Sequence, residues 1–386
     1  MLKRPCIRAV AFVACGMLAP AVASAQAVIR ANDSVSVRIG FLAQMWADFT
    51  QNVRQDSSVA QNLFIRRVRV IVGGQVGSKI NVFLDTDSPN LGRTTSTAGK
   101  SLTSPVIVQD AWIEVKPGAT NALLLTAGLQ YVPLCRNCIQ GSVGHLVLEV
   151  DSYSTAASAP TGSVNGRDIG LQAKGYLAGD RIEYRTGVFS GARASSADGV
   201  PTASNSLRVA GRLQVQLLDA EAPSYSYAGT YLGKKKVLAI GAGYDTQSSY
   251  KAWAADAFLS YPLGNNGVTA QTNFIHYDGG DFFPSSATVA GLPKQNTFEI
   301  EGGYHFTNAK LTPFVKFESR NVDDAEATNV ANLDEHRVQF GGSYYISGNN
   351  LNVKAAYTRG ILDRLPAGTG TLTQNGVTVQ FQAYYY

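Results

Sequence analysis

The chain has 386 residues and a formal net charge of +5, of which only +2 remains outside residues 1–25, where Lys3, Arg4 and Arg8 face no acid. It carries 38 Gly, 18 Tyr and 16 Phe but 4 Cys and 3 Met, at a mean hydropathy of −0.04. This excludes a disulfide-built scaffold and describes a β-rich, turn-rich, aromatic chain in which any electrostatic function depends on where the charges sit.

Residues 1–25 read as a secretory signal peptide. The basic residues form its n-region, an apolar run extends from Ala9 to about Val22, and Ala23-Ser24-Ala25 is an A-x-A cleavage site. A lipobox at Cys15 fits poorly, with Phe12 three residues before it. Removal of 1–25 takes Cys6 and Cys15 and leaves a single domain, 26–386. No later apolar run approaches the roughly 18–20 residues of a membrane-spanning helix.

Segments of period two follow throughout. They fall at 35–45, 63–74, 78–86, 106–116, 121–130, 166–177, 180–190, 206–217, 236–245, 250–261, 267–277, 295–305, 310–319, 334–345, 351–360 and 376–386. Short turns alternate with longer polar stretches between these segments, as in a transmembrane antiparallel β-barrel of about sixteen strands, with long extracellular loops and short periplasmic turns. Two connections break the alternation: 218–235 is long where a turn is due, and 246–249 is short where a loop is due.

The segment NLFIRRVRVIV at 62–72 shows why a barrel is needed. Val68, Val70 and Val72 share one face of a strand, and Arg67 and Arg69 share the other. A core could not bury the arginines unpaired, whereas hydrocarbon outside and a wet lumen inside suit both faces. Arg66 is out of phase and is expected at the outer rim, where a charge costs little. Elsewhere Gln109, Ala111, Ile113 and Val115 oppose Asp110, Trp112 and Glu114, and Leu213 and Val215 oppose Arg212 and Gln214. Tyr176, Tyr244, Tyr261, Tyr304, Tyr344 and Tyr357 lie at strand ends and suit interfacial girdles. A secreted β-sandwich would also alternate, but it does not require sixteen strands with alternating loop lengths.

FIRRVRV at 64–70, the Asp110-Ala111 step, GLQYVP at 128–133, YLGKKKVLAIGAGYD at 231–245 and the closing QFQAYYY at 380–386 together resemble the phosphate-selective porin O and P family, along nearly the whole chain after residue 25. The resemblance implies a trimeric outer-membrane channel whose third extracellular loop folds inward, here 131–165, and whose lumen guides anions with basic residues. Arg67 and Arg69 match the family's basic pair. Two features depart from it. The final aromatic in the lipid-facing phase is Tyr385 rather than Tyr386, and the lumen phase also carries acids, including Asp85, Asp110, Glu299, Glu301 and Glu318.

The candidate anion pathway is Arg38, Arg67, Arg69, Arg136, Arg208, Arg212 and Lys316. Arginine's planar fork can hold two oxygens of an oxyanion, and Arg67 and Arg69 stand about 6.8 Å apart on one strand face. The same cations could instead pair with lumen acids and stiffen the wall. Cys135-Arg136-Asn137-Cys138 reads as a local disulfide in an oxidising compartment, with half a zinc site or a free pair as alternatives; no metal is expected. If bridged, it would pin the start of the inward loop and aim Arg136 at the constriction. His145, His276, His305 and His336 form no recognisable nucleophile–base arrangement, and no G-x-S-x-G elbow is present. The expectation is therefore a non-enzymatic, cofactor-free porin in the bacterial outer membrane. It would pass phosphate or other small oxyanions, or else act as a general porin. Its other partners would be outer-membrane lipid and lipopolysaccharide and two further copies in a homotrimer, with no nucleic acid.

Overall fold

A computed structural model describes residues 27–51, 58–94, 99–193, 206–222, 224–285, 291–323, 333–362 and 371–386; residues 1–25, where a signal peptide is expected, lie outside them. The strands are β1 (Ala27–Asn32), β2 (Val35–Gln51), β3 (Val59–Val76), β4 (Ile80–Asp87), β5 (Ile107–Val115), β6 (Leu124–Tyr131), β7 (Arg167–Leu177), β8 (Ile182–Phe189), β9 (Arg208–Gln216), β10 (Val237–Gln247), β11 (Tyr250–Leu263), β12 (Asn266–Asp278), β13 (Gln295–His305), β14 (Leu311–Val322), β15 (Glu335–Ser347), β16 (Leu351–Leu362) and β17 (Leu372–Tyr385).

From β2 onward each strand pairs antiparallel with the next, and β17 returns to β2, with Tyr385 opposite Phe41 and Gly376 opposite Thr50. Sixteen strands thus close a barrel, which leaves no edge unpaired. The sequence reading missed β1. It is a short hairpin partner that covers the lower part of β2, with Ala27 opposite Ile39.

Apolar side chains cover the outside. Leu171, Leu213, Ile300 and Phe340 all point outward and are 47–68% exposed. Ile300 lies midway along β13, so Ile300→Arg puts a charge near the bilayer midplane and is expected to cost about 2–4 kcal/mol. Gln339→Arg, on the lumen face of β15, should cost far less. Urea unfolding of both variants in lipid checks this.

Two β-bulges shift the faces from simple alternation. Opposite β2, Gln44 pairs with Arg67 and Met45 with Ile65, so Arg66 is an extra residue. Opposite β4, Asp85 pairs with Asp110 and Thr86 with Val108, so Gln109 is extra. A bulge puts two neighbouring side chains on one side of the sheet. Arg66 therefore turns inward beside Arg67 rather than sitting at the rim, and Gln109 is buried beside Asp110. Tyr176 is a second correction: it is buried on the lumen side, where its hydroxyl donates to the Ser224 carbonyl, while Tyr244, Tyr344 and Tyr357 do face outward.

Candidate functional site

The lumen is filled from both ends. From the rim of the long loops, loop 132–166 crosses to the opposite wall. Gln44 donates to the Ser142 carbonyl at 3.2 Å, Lys354 Nζ to the carbonyls of His145 and Val147 at 2.5 and 2.9 Å, and Tyr277 Oη to the Tyr153 carbonyl at 3.0 Å. Cys135 and Cys138 form a disulfide, S–S 2.01 Å, inside an apolar cluster with Ile139, Tyr250, Ile275 and Tyr277. That cluster packs the loop against β11 and β12.

From the other rim, the long β9–β10 connection, 217–236, rises into the barrel. Its backbone pairs with the loop: Tyr227 N–H donates to Ile139 O at 3.2 Å, Gly141 N–H to Tyr227 O at 3.0 Å, and Gly229 N–H to Gly144 O at 2.9 Å. Sequence reading registered the anomalous length of this connection but not its inward course.

Open space runs along β2–β6 as three stacked cavities. The outer one, ≈ 460 Å³, is lined by Arg66, Arg67, Arg69, Arg167, Glu149 and Asp151 among others. The middle one is ≈ 330 Å³ and the inner one ≈ 270 Å³. Arg69, Tyr131, Ser142 and Arg167 line both outer and middle cavities. Phe83, Ser224, Tyr225 and Tyr386 line both middle and inner ones. The path thus passes a guanidinium-lined neck and then an aromatic one.

The charges along it are paired. Glu149 bridges Arg66 Nε at 2.9 Å and Arg67 Nη2 at 2.6 Å. Arg69 meets Asp85 at 3.2 Å and Asp87 at 3.1 Å. Arg167 Nε donates to both oxygens of Asp110 at 3.0 and 3.1 Å, and its guanidinium lies 3.9 Å over the Tyr131 ring. Burial would raise the Glu149 pKa, but the two arginines outweigh it and hold the carboxyl ionised far into acid. Burial lowers His145 to about 3, so its ring stays neutral at ordinary pH. Asp151 is different. Burial, reinforced by nearby Glu318, raises it to about 7. Lowering the pH from 8 to 6 protonates Asp151 and removes a negative charge from the outer cavity. Reversal potentials are therefore expected to move toward anion preference over that interval, and Asp151→Asn should reduce the response.

The seven candidate cations separate into groups. Arg67 and Arg69 share the outer cavity. Arg38 lines the inner one, 5.6 Å over the Tyr386 ring, with no carboxylate within 4 Å among the described residues. Arg208 and Arg212 are bound by Asp245 and Asp256, and Lys316 by Glu318 and the carbonyls of Glu149 and Val150. Arg136 does not line the cavity of Arg67 and Arg69. It is 1% exposed, makes two 2.7 Å bonds to Glu221, and lies between the rings of Phe258 and Tyr227. It clamps the loop to segment 217–236.

Sequence reasoning missed Arg66, Arg167, Glu149, Tyr225 and Tyr386. Arg167 follows Asn165 and Gly166, both at positive φ (47° and 76°), and this turn delivers it inward next to Asp168. Tyr386 turns into the lumen over two glycines. A Cβ at Gly73 would stand 1.8 Å from its hydroxyl, and one at Gly40 2.7 Å from its Cβ.

No protein-family model matches the sequence, and no curated protein does either. Solved structures do match over nearly their whole length. A Salmonella typhi OmpF complex with daunomycin is 15% identical at a TM-score of 0.59, covering 92% of this chain and 99% of that one. The outer membrane channel DcaP of Acinetobacter baumannii is 10% identical at 0.56, covering 92% and 99%. OmpT of Vibrio cholerae, in its trimer form, is 11% identical at 0.51, covering 92% and 100%. With the closed sixteen-strand ring and the inward loop, these likenesses give the chain the fold of a porin-like outer-membrane channel.

Proposed function

We propose that the barrel is a passive diffusion channel that draws small anions along the β2–β6 wall, with oxyanions of phosphate's size as the leading class, in keeping with the resemblance to phosphate-selective porins. The observation that carries this reading is how the charges are sorted. Four guanidiniums line the outer cavity. The carboxylates of the far wall, Asp256, Glu299, Glu301 and Glu318, are buried beneath loop 132–166 and the clamp. Paired arginines suit conduction, because binding must be strong enough for entry and weak enough for release. Passage involves no cofactor and no chemical step. The working unit in outer-membrane lipid and lipopolysaccharide is a homotrimer.

A general porin is the second reading. It is favoured by the balance along the path, where six Arg and Lys side chains face six Asp and Glu side chains across the three cavities.

Single-channel reversal potentials under a KCl gradient, followed by phosphate titration, decide between them. The anion reading expects chloride preference, block of the chloride current by phosphate, and loss of both in the double variant Arg67→Ala/Arg69→Ala. A reversal potential near zero without block makes the protein a general porin and the arginines wall structure.

A further inference from the structure

The middle cavity does not resemble the rest of the lumen. The lumen-facing positions Leu42 on β2 and Ile71 on β3 are apolar and buried where polar residues are the rule. Three rings close around the same space: Tyr131 and Tyr225 lie 5.2 Å apart between centroids, and Tyr225 and Phe83 5.6 Å. At ≈ 330 Å³ the chamber lies within the roughly 300–1,000 Å³ of small-molecule pockets, which are mostly apolar with a few placed polar groups.

Those polar groups stand at its outer neck. Arg69 is 7% exposed, and its Nε has no hydrogen-bond acceptor although both its terminal nitrogens are bound. Arg167 uses Nε on Asp110 and Nη1 on the Asn165 carbonyl. The acids of the chamber are already engaged: Asp110 also accepts the Tyr225 hydroxyl, and Asp85 holds Arg69.

We propose that this chamber is a binding site for planar aromatic monocarboxylates, with the carboxylate at the Arg69–Arg167 neck and the ring among Tyr131, Phe83 and Tyr225. The proposal rests on the anion-channel reading and adds, at the middle chamber alone, a preference distinct from that of the outer cavity, which draws small oxyanions. A compact hydrated oxyanion must shed water against Leu42 and Ile71 with few polar groups to replace it. An aliphatic carboxylate reaches the arginines but forfeits the ring contacts. A neutral aromatic leaves Arg69 Nε without an acceptor.

The test is current block in single channels in KCl, titrating benzoate, acetate, phosphate and benzyl alcohol in turn. Benzoate is expected to block at concentrations at least about tenfold below the other three, the scale of one or two aromatic contacts. Phe83→Leu should raise the benzoate concentration needed toward that of acetate and leave acetate unchanged. Ile71→Gln, which changes the lining of the same chamber without altering a ring, should weaken benzoate in the same way and serves if Phe83→Leu does not fold. Equal block by benzoate and acetate in a channel that still prefers chloride overturns the chamber and spares the anion reading. Equal block by benzoate and benzyl alcohol with a reversal potential near zero overturns both. A benzoate preference untouched by either variant places the site elsewhere and overturns the assignment.

Discussion

Replacing Arg136 by alanine is expected to raise single-channel conductance several-fold and to expose segment 217–236 to protease at Lys234–Lys236. Arg136 supplies the two ionic bonds between loop and segment, donates to the Ala228 carbonyl at 2.9 Å, and fills the gap between Phe258 and Tyr227. Its removal leaves Glu221 buried with the Tyr231 hydroxyl but no counterion. Breaking a buried pair from one side costs about 3–5 kcal/mol, which is comparable to the three backbone bonds that otherwise join the two insertions, at roughly 1 kcal/mol net each. The clamp should therefore open while the barrel stays folded. Arg136→Met/Glu221→Leu removes both charges together and should recover most of the wild-type conductance, because an apolar pair of similar volume is often tolerated. Burial would raise the Glu221 pKa, but Arg136 overrides it and holds it low. A depressed carboxylate contributes stability above its unfolded pKa and loses it as pH falls through the folded value, so the wild-type clamp should hold at neutral pH and fail only in acid. Unchanged conductance and protease resistance in Arg136→Ala would show that the clamp does not hold the constriction.

Glu149→Gln should have the largest effect on selectivity. It takes one negative charge from a site where two guanidiniums share it at 2.6 and 2.9 Å. At such range the interaction is worth from about 1 to about 4 kcal/mol between water-like and protein-surface dielectrics. Phosphate block is therefore expected to tighten by about tenfold or more, with the reversal potential moving further toward chloride. The loop should not move, because Lys316 holds the backbone carbonyls of residues 149 and 150 rather than the side chain. Conductance in chloride alone then stays near wild type. If phosphate affinity and reversal potential both stay fixed, Arg66 and Arg67 lie off the conducting path.

Much of the barrel was legible because period-two alternation is a local property. Val68, Val70 and Val72 against Arg67 and Arg69 already divide hydrocarbon from lumen. The reading failed where one extra residue changes the phase, at Arg66 and Gln109, since a bulge depends on the partner strand's register. It failed at Tyr176, where a tyrosine at a strand end suits a girdle or a lumen equally well until its phase is followed through Gln172 and Lys174. The site was less legible than the wall. An inward loop could be expected at 131–165 from resemblance, and the structure places it across the lumen. Which side chains it would carry to Arg67 and Arg69 depended on tertiary contacts, so Glu149 reached them and Arg136 went to Glu221. The odd length of 218–235 was visible as an anomaly, but Tyr225 beside Trp112 and Phe83 brings together residues more than a hundred positions apart.

The seam between the chain's ends bears on how the barrel finds its register. β1 occupies the edge of β2 up to Ile39, and β17 occupies the same edge from Phe41 onward. Only Gly40 separates them, and Tyr386 is packed over it. In the closed barrel the lower end of that edge is held by β1 and the rest by β17. A slip of one residue toward the periplasm would bring Tyr386 opposite Ile39, which Ala27 already pairs, and any one-residue slip would exchange the two faces of β17. The hairpin thus acts as a mechanical stop, so that the step which seals the barrel also sets the last side chain of the pore's inner neck in place.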